Sequence, residues 1–505
     1  MKHIAASSKK RALIFLAVAF VQFAVQTSAL LKGTEYIVSA LTFDDAYYYF
    51  QTAWNLKMLG VSTFDGINAT NGVQLLWFGV IFLLAQIAQT KINLLVLSLG
   101  TCFFFNAASH LVIWKLSETV DRPVLGVYMS SVWFLLTFGS EFYSTGMENS
   151  LHAFIFWIAI WQTTAFLSET GPRKKNQRFI LLTLILVLNV WARLDAAIFS
   201  VILYVYCLLH LDIRRNLKYV IVSVLLALAG LIIQLVVFYQ LGGSWLPVSS
   251  LVKQSWSHWG NIVGLTATRL LVVLLLLPVL EIIIHRYAGQ KTRLRGIWYS
   301  LLAGVMLHVI ATGGVSAYDK FLWYLSPAFV FLALTLAMSA DGLSRILSNI
   351  VPAARRMIPA AFALAFIALA VFLFQVRWTM SIPVYKLGYH SALWISENVP
   401  PDARLASWNA GILGYFSGRT VINLDGLING TDYYRQVVSG PKSWMTYVKE
   451  QNVDYVIDYS RNYVTTPEFP IIRTFVLTGR PNEVVMWQVA GDKQEPYRQI
   501  EFAGQ

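Results

Sequence analysis

A chain of 505 residues that is 57% apolar and only 13% charged, with a mean hydropathy of +0.57, belongs with multi-span membrane proteins and not with soluble globular ones. Its formal net charge of +13 would suit nucleic acid, but the basic residues fall in short clusters between apolar runs, the pattern that orients a chain in a bilayer, so no nucleic-acid partner is expected. Cys102 and Cys207 both lie inside apolar runs and imply no disulfide framework.

The first apolar run, 12–31, follows Lys9, Lys10 and Arg11 as a signal peptide would. Its length suits a span and no small-residue cleavage site precedes Lys32, so an uncleaved anchor is expected. Immediately beyond it lies LTFDDAYYYFQTAWNLKMLGVSTFDGINATNGVQLLW, Leu41 to Trp77. Asp44 and Asp45 open a segment of helical spacing whose Tyr47, Tyr48, Tyr49, Phe50 and Trp54 rings suit the boundary between hydrocarbon and water. Thr42 followed by Asp45 is also an N-terminal capping pattern, with negative charge where a helix dipole favours it. The two acids therefore read either as caps or as chemistry.

Further runs long enough to span occur at 93–115, 123–139, 149–168, 178–192, 195–211, 217–240, 261–284, 297–313, 322–340 and 357–376. The run 73–86 is shorter, in the range of interfacial or re-entrant segments. The basic clusters Arg173, Lys174, Lys175 and Arg178; Arg214, Arg215 and Lys218; Arg286, Lys291, Arg293 and Arg295; and Arg345, Arg355 and Arg356 can share the cytoplasmic side with the N-terminus only if 73–86 does not cross. About eleven spans result, with one juxtamembrane helix. That parity sends Asp44, Asp45, Glu141, Glu148, Arg193, Asp195, Lys253, His258, Asp319 and Lys320 to one outer rim. Arg269 and His308 lie within apolar runs, where snorkelling and an interhelical hydrogen bond are their ordinary explanations.

From Arg377 the composition changes to polar residues mixed with short apolar runs. RLASW (404–408), TVINL (420–424), DYVID (454–458), RTFVL (473–477) and EVVMW (483–487) read as strands and Trp444 to Lys449 as a helix. The expected organisation is thus an α-helical polytopic membrane region, 1–376, followed by a small α/β domain, 377–505, on the extracytoplasmic side of the inner membrane. Ser407 to Gly430 carries turn glycines at Gly411, Gly418 and Gly426, and its acids and asparagines read more readily as loop chemistry than as ligand contacts. The Asn-x-Thr sequons at Asn68 and Asn429 read as coincidental. There is no P-loop, His/Cys metal cluster or Gly-x-Ser-x-Gly elbow, which removes nucleotide-driven, zinc and serine-hydrolase chemistry. Nor is there an internal repeat, which weakens a transporter reading.

FDDAYYYFQTAWNL, TFDGINATNGVQLLW, STGMENSLHAF (144–154), WARLDAAIF (191–199) and the C-terminal GILGYFSGRTVINLDGL together resemble the polytopic membrane glycosyltransferases of the C superfamily. That family uses polyprenyl-phosphate sugars as donors. The resemblance covers most of the membrane region in order and implies a GT-C fold in which the acidic first outer loop carries catalysis. LLW at 75–77 departs from the family in lacking a proline just before the tryptophan. The implied reaction is hexosyl or pentosyl transfer from a polyprenyl-phosphate donor to a hydroxyl of a glycan, lipid or protein. A carboxylate, Asp44 or Asp45, takes the hydroxyl proton. A cation preorganised at low dielectric stabilises the departing phosphate. Arg193, Lys253 and Lys320 sit at outer span ends and are the phosphate candidates, Arg193 first because Asp195 can orient a bidentate guanidinium. Glu148 is a candidate for sugar hydroxyls or a divalent cation, although two or three carboxylates without defined spacing do not make a metal site, so no cofactor is assigned. The competing reading is a flippase or transporter of lipid-linked sugars, whose essential groups would lie near the bilayer midplane.

Overall fold

The computed structural model describes residues 2–139, 145–255, 265–288, 294–315, 326–351, 354–379, 381–459, 469–489 and 495–503. It begins with α1 (Lys2–Ser28) and the single turn α2 (Thr34–Tyr36), then the short helices α3 (Ala46–Leu59) and α4 (Leu75–Ile87). Six helices follow: α5 (Lys91–Thr119), α6 (Pro123–Gly139), α7 (Asn149–Ser168), α8 (Pro172–Ala192), α9 (Ala197–Leu209) and α10 (Ile213–Gly242). After the short α11 (Val248–Ser255) come α12 (Leu265–Ala288), α13 (Leu294–Val315), α14 (Ser326–Ile350) and α15 (Ala354–Thr379).

Local chemistry sets several of these boundaries. Thr90 caps α5 by accepting from the Asn93 N–H (3.1 Å), Asp212 caps α10 by accepting from the Arg215 N–H (3.2 Å), and Pro172 opens α8 where a missing N–H costs nothing. Eleven helices, α1, α5 to α10 and α12 to α15, coincide with the apolar runs of the sequence. Six helices among the described residues are long and apolar enough to cross a membrane by length and composition.

Successive long helices alternate in direction, and this collects the helix ends near residues 149, 192, 197 and 242 at one end of the bundle, together with the 33–90 segment. Arg173, Lys174, Arg178, Arg214 and Arg215, at the starts of α8 and α10, lie at the opposite end. α4 has both termini at the site end: Leu194 N donates to Gln74 Oε1 (3.3 Å) before the helix, and Lys57 Nζ donates to the Ala88 carbonyl (2.8 Å) after it. It therefore does not run the length of the bundle. The bundle interior is filled by Trp133, Trp157, Trp298, Phe156 and their neighbours.

The C-terminal part contains α16 (Pro383–Asn398), β1 (Arg404–Ser407), α17 (Gly411–Phe416), β2 (Thr420–Asn423), α18 (Thr431–Tyr433), α19 (Trp444–Glu450), β3 (Tyr455–Asp458), β4 (Ile471–Leu477), β5 (Glu483–Gln488) and β6 (Arg498–Phe502). The six strands form one sheet in the order β2-β1-β3-β5-β4-β6. The β2-β1-β3 third is parallel, β3 and β4 each pair β5 antiparallel, and β6 runs parallel to β4. Five strands and α19 fall where the sequence places them; β6, α16 and α17 are additions of the structure. β6 (RQIEF) is a largely exposed edge strand with only Ile500 and Phe502 apolar, so it lacks the continuous apolar run that reveals the other strands. One hydrophobic core joins the two regions, running from Tyr47, Phe50 and Trp77 through Tyr415 and Leu405 to Phe475.

Candidate active site

The two adjacent aspartates have different environments. Thr42 does not cap α3: its hydroxyl donates back to the Val38 carbonyl (3.1 Å) and meets the Tyr47 hydroxyl at 2.8 Å. The Asp45 side chain makes no capping bond either. Asp44 instead caps a helix in the other domain, accepting from the Gly411 N–H (2.9 Å) and the Ile412 N–H (2.8 Å) at the start of α17, with the Tyr459 hydroxyl at 3.3 Å. Only glycine fits at 411, because a Cβ there would stand 2.0 Å from the Asp44 carbonyl oxygen. Asp44 is buried, and burial pushes its carboxyl up to about 7 against the pull of the two N–H donors.

Asp45 is half-buried, and among the described residues its carboxylate accepts no hydrogen bond. Burial raises its pKa, Lys253 on α11 draws it down, and the negative charge of Glu148 pushes it up again. It is thus a carboxylate without a structural duty, held between one cation and one anion. Asp425, half-buried in the loop after β2, belongs to the same cluster: burial first, then the Asp45 charge, lifts its carboxyl to about 8. Its Oδ1 accepts from Leu427 N (2.7 Å) while Oδ2 accepts from the Tyr48 hydroxyl (3.1 Å). The loop residues of Ser407 to Gly430 therefore do loop chemistry and face the acids at once.

Glu148 and Arg193 are both buried and paired. Arg193 Nη1 donates to Glu148 Oε1 (3.0 Å) and to Asn149 Oδ1 (2.6 Å), while Nε and Nη2 grip Asp195 Oδ1 and Oδ2 at 3.0 and 2.8 Å. Asp195 Oδ2 also lies 3.0 Å from His308 Nε2 on α13. The remaining oxygen of Glu148 accepts from the Tyr49 hydroxyl (3.0 Å). Tyr49 in turn accepts from Gln74 N (3.3 Å), which links the acidic helix α3 to the head of α4. Trp77 Nε1 donates to the Gly146 carbonyl (3.0 Å); Gly146 has φ +81° and a Cβ there would strike Phe50 at 2.7 Å, so the STGMENS segment needs glycine to pass over α3.

The remaining family-like residues build the frame. Asp65 Oδ1 accepts from Ile67 N (2.8 Å) and Asn68 N (2.7 Å), closing the TFDGIN turn on itself. Asn71 Nδ2 donates to the carbonyls of Phe238, Ser244 and Leu246, and its Oδ1 accepts from Val248 N (2.9 Å). This one side chain fastens the loop between α10 and α11, and so the position of Lys253. On the α/β side, Asp458 at the end of β3 accepts from the N–H groups of Trp408 (2.7 Å) and Asn409 (3.0 Å) and from the Ser407 hydroxyl (3.0 Å). β2 and β3 flank β1 on opposite sides, so the carboxyl ends of these parallel strands form a topological switch point. Asp44 and Asp45 are docked against that crevice.

Of the predicted site residues, Asp45, Glu148 and Lys253 share one electrostatic cluster, Asp44 borders it as an interdomain clamp, and Arg193 and Asp195 form a bonded pair behind Glu148. Lys320, like Glu141, His258 and Asp319, lies outside the described residues, as does the Arg269 side chain. The sequence marks Tyr48 and Tyr49 only as interfacial rings and does not single out Asp425, Asp458 or Tyr459, because their partners are non-local: Asp425 meets Tyr48 across 377 residues, Tyr459 meets Asp44 across 415 and Asp458 meets Trp408 across 50. The one available signal was the INLDG phrase, a polar turn directly after a buried strand. Among the described residues no three His, Cys, Asp or Glu side chains converge as metal ligands, and both Glu148 oxygens are engaged by Arg193 and Tyr49.

A sequence family described only as a domain of unknown function, DUF8728, matches residues 378–497. No curated protein matches the sequence. Solved structures do match the fold. ArnT from Cupriavidus metallidurans bound to undecaprenyl phosphate is 10% identical with a TM-score of 0.62, the match covering 95% of this chain and 98% of that one. Its apo state gives 11% identity and 0.59 over 96% and 100%. The Archaeoglobus fulgidus oligosaccharyltransferase in complex with Zn and sulfate gives 13% and 0.53 over 89% and 68%. The chain therefore has the GT-C fold of polytopic membrane glycosyltransferases, with an α/β domain at its C-terminus.

Proposed function

We propose that this protein is a glycosyltransferase that moves a sugar from a polyprenyl-phosphate donor to a hydroxyl of a glycan, lipid or protein at the outer face of the cytoplasmic membrane, with residues 377–505 extracytoplasmic over the membrane region and Asp45 as general base. The observation that carries the reading is the contrast between the two acids: Asp44 is consumed by the N–H groups of α17, while Asp45 is uncommitted beside Lys253 at the crevice of a GT-C fold. Binding of undecaprenyl phosphate by a relative of this fold supports the choice of donor. In the reaction the acceptor oxygen forms a bond to the sugar's anomeric carbon as the bond from that carbon to the phosphate oxygen breaks. Asp45 takes the acceptor proton, and the electron pair leaves with the lipid phosphate. Lys253, close enough to lower the pKa of Asp45, is the cation for that phosphate, with Lys320 as a second candidate. Arg193 is a positioning residue: its guanidinium is committed to two carboxylates, so it holds Glu148 and closes the turn between α8 and α9. No step is routed through a divalent cation.

The test is transfer of labelled sugar from polyprenyl-phosphate donors by membranes containing the wild-type protein, alongside binding of undecaprenyl phosphate to the purified chain. Transfer and binding that both survive Asp45→Asn and Lys253→Gln would exclude this site.

A further inference from the structure

α8, α9 and α10 enclose an apolar groove of about 390 Å³, whose upper end, at Trp191 and Ala197, lies beside the Arg193–Asp195 turn. Leu186 and Val187 floor it, Val201 and Tyr204 form the α9 wall, and Leu228 and Leu231 form the α10 wall. Tyr204 is hydrogen-bonded to Ser223 across the two walls (2.7 Å), which closes the end remote from the active site, and Trp191 Nε1 donates to the Gly230 carbonyl (3.1 Å), which fixes α10 against the floor. Val201, Leu228 and Leu231 are exposed, so the groove opens sideways toward hydrocarbon.

One polar group is out of place. Gln234 lines the groove, is only 1% exposed, and its Nε2 has no hydrogen-bond partner among the described residues. An unmet amide donor in a hydrocarbon setting is costly, which points to an acceptor supplied by a ligand. Its depth says which kind. The exposed, stacked Tyr239 and Trp245 rings (4.6 Å between centroids) mark the interfacial level, and Gln234 lies five residues, about 7.5 Å, further into the bundle at a rise of ~1.5 Å per residue. At that depth an isoprenoid chain is pure hydrocarbon below its phosphate. An ester-linked lipid carries its carbonyl oxygens just below the headgroup.

We propose that this groove binds an acyl chain of an ester-linked glycerolipid, with Gln234 Nε2 donating to the ester carbonyl. The hydrocarbon lies along the groove from Gln234 to the Tyr204–Ser223 bridge, eleven residues of α10 or about 16 Å. This assignment does not depend on the transferase reading.

The experiment compares 1,2-diacyl with 1,2-dialkyl phosphatidylethanolamine of equal chain length for retention by the purified full-length protein, read by native mass spectrometry. The two lipids differ only in the carbonyls. Wild type is expected to retain the diacyl lipid about fivefold more tightly, the size of a modest net hydrogen bond. Gln234→Leu should abolish that preference, and Ala227→Phe, which fills the groove, should release both lipids. Equal retention of the two lipids by wild type would overturn the proposal without any variant, as would a preference that persists in Gln234→Leu or retention that survives Ala227→Phe. One-for-one displacement of the diacyl lipid by undecaprenyl phosphate would reassign the groove to the isoprenoid tail.

Discussion

Asp44 and Asp45 are chemically identical neighbours in sequence, and their partners separate them. Asp45→Asn is expected to lower turnover by roughly 10² to 10⁴-fold while leaving the unfolding midpoint unchanged, since removing a general base costs about that much and this carboxylate makes no structural bond. Equal losses of stability and activity would argue for a scaffold role. A base works only when ionised, and burial raises the pKa of Asp45 above the ordinary value of about 3.9, so kcat/KM should rise with pH along a limb displaced upward from that value. Lys253 favours the ionised form. Lys253→Gln should therefore move the limb to still higher pH and also weaken binding of undecaprenyl phosphate, two readouts that a merely structural lysine would not change together.

At the level of elements, α3, α7, α8 and α17 meet through a few charged bonds, and their loss should register as stability. Arg193→Gln leaves Glu148 and Asp195 facing each other without their shared cation, and breaking a buried pair typically costs about 3–5 kcal/mol. Thermal unfolding should show that loss, and undecaprenyl-phosphate affinity of the folded fraction should stay near wild type; a selective loss of affinity would return Arg193 to the phosphate site. The Asp44 contact with α17 carries a pH signature of known sign. Its carboxyl stands at about 7 in the folded protein against about 3.9 unfolded, so the folded state binds the proton more tightly and its contribution is full below about pH 4 and declines as pH rises toward 7. Asp44→Asn should flatten that part of the stability profile and lower stability overall by about 1–3 kcal/mol, because the carboxamide cannot accept from Gly411 and Ile412 together.

On the scale of the whole molecule, the acidic segment, the heads of α7 and α9 and the α/β domain lie at one end of the bundle and the basic starts of α8 and α10 at the other. With the α/β domain extracytoplasmic, an impermeant thiol reagent applied to intact cells should label Gln436→Cys and leave Lys174→Cys unlabelled until the cells are opened; Cys102 and Cys207 are buried and should stay silent. The reverse pattern would invert the orientation. The hydrophobic cluster that runs from Trp77 to Phe475 and joins the two regions further implies that 377–505 and the membrane region lose structure together, in one transition when followed by both Trp fluorescence and far-ultraviolet circular dichroism.

The amino-acid sequence by itself determined the class of the protein and most of its elements. Apolar run length fixes which segments become long helices, since each needs about 20 residues to cross hydrocarbon, and sets the shorter α4 apart from them. Short apolar runs set in polar sequence fix five of the six strands. Family-like motifs single out Asp44, Asp45, Glu148 and Arg193 but do not assign their work. That assignment is tertiary, because a carboxylate's duty is set by the donors around it. Asp44 meets N–H groups 367 and 368 residues away, Arg193 meets Glu148 45 residues back, and Asp425 reaches Tyr48 across 377 residues. No local pattern encodes such distances; only the closing of the α/β domain onto the first loop turns one aspartate into a clamp and leaves its neighbour free to take a proton.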